Sequence, residues 1–321
     1  MKRIFALTAA LAFTLSVPAA AQNWPTKPVR LIVPYAAGST PDIVGRILAE
    51  NLQAKYPGIN VVVENRTGAG GNTGTDAVAK AEPDGSTIGI SLGGPLAINT
   101  LLFSKLPYDP AKDIAPVSML TTLPSVLVVP ASLGVNTVAE FVALVKRDPT
   151  KVAFGSIGAG SLSHLTMEAI AQRAGAKLVH IPYGGSPQAV TAVIRGDVQA
   201  ACLPAISVTP QLATGAVKIL AVSTAKRSPH LPDVPTLKES GIDVESDAWN
   251  ALIAPAGTPR QVIDRINADV REILGKPEVR EKLKLQQIDA APSSPEELRA
   301  RINAEIKLWA DVIKAADVKI N

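Results

Sequence analysis

Apolar residues recur along this chain in two rhythms. Short unbroken runs appear at Leu31-Ile32-Val33, Val61-Val62-Val63 and Val126 to Val129, and apolar-rich segments of strand length, interrupted by Ser, Thr, Gly or Asn, at Ser86 to Leu92, Val117 to Leu123 and Trp249 to Ala254. Between them, apolar positions fall three and four apart, as in Ile43, Val44, Ile47, Leu48 and Leu52, or Val138, Phe141, Val142 and Val145. Unbroken runs suit strands covered on both faces, and the wider spacing suits helices with one buried stripe. Strand, helix, strand at this separation predicts parallel βαβ units and an α/β fold. The pattern restarts after Val135-Asn136-Thr137 with a strand at 152–154, a helix from near Ser161, a strand at 177–181, a helix to Arg195, and strands near 198–203 and 217–222. A short helix is predicted at 76–81, and two long ones close the chain. Thr258 is the expected cap of the first, with Pro259 at its first position; the second opens at Ser294-Pro295-Glu296-Glu297 and buries Leu298, Ile302, Ile306, Trp309 and Ile313.

One layout occurs twice. Leu31 to Arg46 reads as a strand, a small-residue turn (Ala36-Ala37-Gly38) and a helix, with Thr40 as expected N-cap and Pro41 at the first helical position. Val152 to Glu168 repeats it through Gly155-Ser156-Ile157-Gly158-Ala159-Gly160-Ser161. The first N–H groups of a helix lack intrahelical partners and sit at the positive end of its dipole, so each layout is a seat for a carboxylate or phosphate. Two seats suggest one anion held from both sides. The glycine-rich stretch Gly68 to Gly74 fits either close helix-on-strand packing or ligand contact. Tyr183, beside Gly184, offers a hydroxyl and an apolar face, or else a buried tyrosine bonded to a carbonyl.

Length and composition narrow the picture. At 321 residues the chain suits two domains. The expected division is a signal peptide at 1–21, a first lobe at 22–123 plus 250–321, and a second lobe at 124–249, with the extended runs near 117–129 and 249–254 crossing between lobes. Residues 1–21 have a basic start (Lys2, Arg3), an apolar stretch and Ala19-Ala20-Ala21 before Gln22, a leader pattern that predicts export to the periplasm. The net charge of +4 includes Lys2 and Arg3, and the remaining basic residues are scattered, so nucleic acid is not an expected partner. Cys202 is the sole cysteine, which excludes an internal disulfide, and its apolar surroundings suit a buried structural thiol.

Enzyme signatures are broken or absent. Phe154 stands where a Gly-x-Ser-x-Gly nucleophile turn needs its first glycine, and neither Gly68-x-Gly70 nor Gly158-x-Gly160 continues to a third glycine at dinucleotide spacing. Three scattered histidines and one cysteine make no metal cluster. No catalytic residue, metal or cofactor is therefore assigned. An exported hydrolase or isomerase of small acids stays open as the alternative, because Ser161 and His164 lie three apart at a helix start.

Taken together, Trp24-Pro25, Val33-Pro34-Tyr35-Ala36-Ala37-Gly38 with Asp42 and Arg46, Glu64-Asn65-Arg66 leading to Gly68-Ala69-Gly70-Gly71-Asn72, Leu106-Pro107-Tyr108-Asp109-Pro110, Gly155-Ser156 with Gly160-Ser161 and His164, Pro182-Tyr183-Gly184-Gly185, and Leu231 to Thr236 resemble the substrate-binding receptors of tripartite tricarboxylate transporters, the Bug-type proteins. The resemblance covers nearly the whole mature chain. It implies a two-lobed periplasmic binding protein of type II-like α/β fold, each lobe a mainly parallel sheet flanked by helices, closing on a small organic acid. It also implies delivery of that acid to integral membrane permease subunits; a monomer is expected, and a sensor serving a signalling partner is a further alternative. Carried over by position, Tyr35, Gly38, Ser39 and Thr40 form the first seat, with Gly93 and Gly94 beside it. Ser156, Gly160, Ser161 and His164 form the second, with Tyr183 and Gly184 adjacent. One departure is Pro41, which removes a backbone donor. If that donor touched ligand, its loss costs about 1.5–3 kcal/mol; if it is an unpaired first-turn group, nothing is lost.

Overall fold

The computed structural model describes residues 24–148 and 152–318, so the expected leader lies outside the described residues. The first βαβ unit is present as β1 (Val29–Val33), α1 (Thr40–Lys55) and β2 (Val61–Asn65), with β1 parallel to β2 and also to β3 (Thr87–Leu92). Between them lies α2 (Asn72–Ala79), which begins four residues before the expected 76 because Gly71, at φ +95°, turns the chain into it. α2 lies directly on β3: a Cβ at Gly89 would sit 2.3 Å from Val78. A π turn at Gly94–Ile98 then runs into the short α3 (Asn99–Leu102).

The next strand organises the molecule. β4 (Ile114–Pro130) is 17 residues long, where the sequence suggested two separate extended segments. Its first half pairs antiparallel with β9 (Asp247–Pro255), and its second half pairs with β7 (Ala200–Pro204) and β8 (Val217–Val222). The exchange of neighbours falls at Pro124 and Ser125: Pro124 opposes Asp247 at the start of β9, and Ser125 opposes Pro204 of β7. A proline has no N–H to give a ladder, so it is tolerated where one set of partners ends. Beyond β7 lie β5 (Ala153–Ser156) and β6 (Val179–Pro182), parallel to each other, giving the order β2-β1-β3-β9-β4-β7-β5-β6. β8 and the two-residue β10 (Asp289–Ala290) also join β4. The sheet is thus mixed, with parallel pairs toward its ends and antiparallel pairs in the middle.

Helices cover both halves. α4 (Val138–Arg147) starts at Thr137, whose hydroxyl accepts from the Glu140 N–H as its sequence position predicts. α5 (Leu162–Ala174), α6 (Ser186–Arg195) and α7 (Ala205–Leu212) follow in the second half. α8 (Arg260–Gly275), α9 (Pro277–Lys284) and α10 (Pro295–Ala316) return to the first. Ser294 and Glu297 form a reciprocal capping box at α10. Thr258, by contrast, is not the cap of α8. That position is Pro259, and the Thr258 hydroxyl instead donates to the Pro255 carbonyl at 2.8 Å. The prolines Pro204, Pro210 and Pro277 hid α7 and α9 from the periodicity reading.

Leu31, Val33, Leu48, Leu52, Leu120, Leu252, Ile266 and Val270 make one core; Leu127, Phe141, Phe154, Leu165, Cys202 and Trp309 make another. Cys202 is fully buried and its thiol is pushed up to about 12 by desolvation, as an inert packing residue would be. α10 contributes to more than one core, since Leu298 and Ile302 pack with Trp249 while Trp309, Val312 and Ile313 pack with Phe141 and Leu165. No helix among the described residues is long and apolar enough to cross a membrane.

Where β4 and β9 run side by side, the buried Asn250 amide donates to the Thr121 hydroxyl at 2.9 Å. Replacing Thr121 by valine keeps the volume and removes that acceptor. The expected loss is about 1–3 kcal/mol of stability, the cost of an unsatisfied buried donor, measured by urea unfolding of the variant against the parent.

Candidate functional site

A cavity of about 570 Å³ opens between the two halves of the sheet. From the first half, Tyr35, Ala69, Gly70, Gly93 and Gly94 line it; from the second, the loop Ile157 to Leu162. The sequence-predicted residues Tyr35, Gly93, Gly94, Gly160 and Ser161 therefore share one cavity. Gly38, Ser39, Thr40, Ser156, His164, Tyr183 and Gly184 lie off its wall.

The α1 end explains part of that split. Ser39, and not Thr40, is the N-cap residue, and its side chain makes no capping bond. Pro41 accordingly sits at the second helical position. The Gly38 N–H donates to Asp42 Oδ2 at 2.8 Å, so a carboxylate from the helix's own first turn already occupies the seat. Asp42 is buried and also accepts from Arg46 Nε at 2.9 Å and Asn65 Nδ2 at 2.9 Å. Burial alone would raise its pKa, but these donors outweigh it and hold the carboxyl below the usual range. Asn65 also donates to the Tyr35 carbonyl at 2.8 Å, and the Tyr35 hydroxyl donates to the Gly70 carbonyl at 3.0 Å. The Asp42–Arg46–Asn65 set thus positions Tyr35 at the cavity.

The glycine-rich stretch divides between its two readings. A Cβ at Gly71 would lie 2.9 Å from Pro95 and 3.1 Å from the Tyr35 ring, and one at Gly74 would lie 2.6 Å from Pro34, so these two serve packing. Ala69 and Gly70 face the cavity. Asn72, behind them, accepts from Asn99 and from Tyr108, whose hydroxyl also reaches the Pro95 carbonyl. The rigid loop around Tyr108 so braces the Gly93–Pro95 turn.

The α5 end is more open. Ser161 is the N-cap, its hydroxyl accepting from the His164 N–H and donating to the Gly158 carbonyl. Leu162 and Ser163 N–H groups take no partner among the hydrogen bonds of the described residues, and Leu162 lines the cavity. His164 is buried; its Nδ1 accepts from the Gly160 N–H at 3.0 Å, and its Nε2 lies 3.5 Å from Glu168. Its ring stacks on His180 with centroids 3.7 Å apart, and Phe154 stacks on His180 at 5.0 Å. His180 bonds Ser156 Oγ at 2.7 Å. Desolvation first, then the neighbouring His164, hold the His180 pKa down to about 4, and Glu168 opposes this only in part. These rings support the loop from beneath. The spacing of Ser161 and His164 serves helix capping here, the Ser161 hydroxyl meeting the His164 main-chain N–H and neither imidazole. Tyr183 packs its ring over Gly155, and a Cβ at Gly184 would meet nothing within 4 Å.

Sequence reasoning missed three further wall residues: Asp247, Trp249 and Glu305. Glu305 Oε1 accepts from Trp249 Nε1 at 2.6 Å and from Arg301 Nε at 2.8 Å, and Arg301 also donates to Asp247 Oδ1 at 2.5 Å. Burial raises the Glu305 pKa against the lowering effect of Arg301 and Trp249. A signal was present: Glu305 falls on the apolar stripe of α10, between Ile302 and Trp309, where an acid needs a reason.

The comparisons with known proteins agree with this architecture. The model of the tripartite tricarboxylate transporter family receptor matches residues 44–318. Protein BugT of Bordetella pertussis is 36% identical over 319 residues, 99% of this chain and 96% of its own. The structure of R. palustris Rpa4515 with adipate shares 33% identity at a TM-score of 0.78, covering 92% of this chain and 99% of that one. MatC from Rhodopseudomonas palustris with bound malate shares 30% identity at 0.73, covering 90% and 100%. The fold is accordingly that of the two-lobed α/β periplasmic binding proteins, and the chain belongs to the tripartite tricarboxylate transporter family of periplasmic solute-binding receptors.

Proposed function

We propose that this protein is exported through its residues 1–21, captures a small organic carboxylate between its lobes by hinge closure, and hands it as a monomer to the membrane permease subunits of a tripartite tricarboxylate-type transporter. The proposed lobes are residues 22–123 plus 250–321 and residues 124–249, and Trp309, Val312 and Ile313 of α10 pack into the core of the second. The observation that carries the reading is the α5 N-terminus, where Leu162, with its N–H unpaired among the described residues, lines one cavity together with Tyr35, Ala69–Gly70 and Gly93–Gly94. The relatives solved with adipate and with malate support a carboxylate as ligand.

Magnitudes favour closure over a single anchor. Micromolar affinity requires about 8 kcal/mol, whereas one helix end supplies about 0.3–2 kcal/mol. Several main-chain and hydroxyl bonds made together in a dewatered cleft must supply the rest. Ser156, His164, Tyr183 and Gly184 then act by shaping the second loop, and Gly38, Ser39 and Thr40 by shaping the Tyr35 turn.

Two measurements test this, and a third follows from the stacked histidine pair. In a thermal-shift screen of carboxylates on ligand-free refolded protein, a true ligand at a hundred times its Kd should stabilise by about 2.7 kcal/mol; no response to any acid would overturn the reading. Leu162→Pro deletes one main-chain donor at a helix position that accepts proline, following a residue already at φ −65°, ψ 158°. Affinity should fall about tenfold or more, as for a lost charge-assisted bond, while Leu162→Ala, which keeps the N–H, should retain most of it by calorimetry.

The third concerns acid stability. The unfolded chain protonates His180 near its ordinary 6.5, whereas the folded chain does so only near about 4. Between those values the unfolded state holds more protons, so this contribution is complete above 6.5, declines as pH falls, and is exhausted below about 4. Melting curves should show a Tm drop across that window, about 2–5 °C, that is flattened in His180→Gln.

A further inference from the structure

The wall of the cavity carries an imbalance that a receptor for a plain dicarboxylate would not need. Two of its residues are acids, Asp247 and Glu305, and none of its lining residues is Lys, Arg or His. Arg301 lies behind the acids, bonding one oxygen of each. The other oxygens, Asp247 Oδ2 and Glu305 Oε2, take no hydrogen bond among the described residues. Glu305 is only 6% exposed, so its free oxygen is a nearly buried acceptor beside the cavity. Two carboxyl groups thus share one guanidinium, which leaves an excess of acceptor oxygens at this wall.

Gly93 keeps that acceptor uncovered. Its backbone, at φ −54° and ψ −34°, is ordinary helical geometry open to any residue, so conformation does not require glycine here. Space does. A Cβ at Gly93 would lie 3.0 Å from Glu305 Oε2 and 3.0 Å from Trp249 Nε1. Leu162, whose N–H is unpaired among the described residues, lines the same cavity from the start of α5, while the acids come from β9 and α10, so the cavity takes its main-chain donors and its free acceptors from different elements. Between them the wall is largely apolar, with Leu92, Ile98, Phe103 and Ile157.

We propose that the ligand is a small monocarboxylate whose far end donates hydrogen bonds, an ammonium group above all, with the carboxylate at the α5 end and the ammonium against Glu305 and Asp247. This rests on the receptor reading above and sharpens it. A second carboxylate at that end would meet like charge with no cation on the wall to offset it, so simple α,ω-diacids are poor ligands for this chain. Removing the free acceptor should reverse the discrimination.

The test pairs linear ω-amino acids with α,ω-diacids of the same length, three to six carbons, by calorimetry on ligand-free refolded protein. The best amino acid should bind at least tenfold tighter than its matched diacid. Glu305→Gln, which retains an acceptor for Trp249, should weaken that amino acid at least tenfold and leave the diacid equal or tighter. Asp247→Asn should act in the same direction by a smaller factor and serves if Glu305→Gln does not fold. Diacids that bind as well as or better than amino acids, or a preference untouched by both variants, overturn this inference alone and leave the carboxylate receptor standing. Silence from both series, together with silence from the wider acid screen, overturns the receptor reading itself.

Discussion

The structure depends on one shared strand. β4 is antiparallel to β9 for its first half and to β7 and β8 for its second, so a single stretch of backbone belongs to both sets of helices. Its ladder bonds cannot be traded for water without exposing the buried apolar run from Val126 to Val129. The chain passes again at Ser246, whose N–H donates to the Ser223 carbonyl, while the Ser223 N–H donates to the Ser125 carbonyl. Small hydroxyl residues occupy this crossing: Thr166 and Ser246 bond each other at 2.6 Å, and Ser223 reaches Ser125. Short side chains with rotatable donors suit a place where strands must keep their pairing while their neighbours change.

The cavity lies where that exchange occurs. Asp247 opens β9 and opposes Pro124, the residue at which β4 changes partners, so the acid on the cavity wall is fixed to the crossing itself. α10 reaches the same place, since Glu305 and Arg301 bind Asp247 and Trp249 while the end of the helix packs into the core around Phe141. A charge placed at Glu305 therefore acts on a helix that spans both cores, and the polar contacts at the wall are coupled to the packing that holds the two halves together.

The alternation of apolar runs and 3.6-residue spacing made the α/β architecture legible, and α5 was legible to its cap because Ser161 and the small residues before it leave few other conformations. The end of α1 was harder. Its turn looked like an open anion seat, and only the fold shows that Asp42 folds back to fill it, since local sequence cannot say whether a first-turn acid points at its own backbone or outward. His164 posed a similar difficulty: its place one turn into a helix favours neutral hydrogen bonding over general-base work, but the ring's partner, the stacked His180, lies sixteen residues away in sequence. Asp247, Trp249 and Glu305 lay furthest from reach. They come together by long-range packing of α10 on β9, for which no periodicity carries a signal beyond one acid on an apolar stripe.

Much of the cavity's donor side is main chain: the start of α5 presents N–H groups that belong to the fold and to no particular side chain. Among single-codon changes, only a proline can delete such a group, so mutational drift at the surrounding positions leaves these donors intact. The acceptor side is the opposite case, made of two side chains that a single-base change such as Glu to Gln or Asp to Asn can neutralise. Under the proposed reading, altering two codons would exchange one class of ligand for another while every main-chain donor stayed in place.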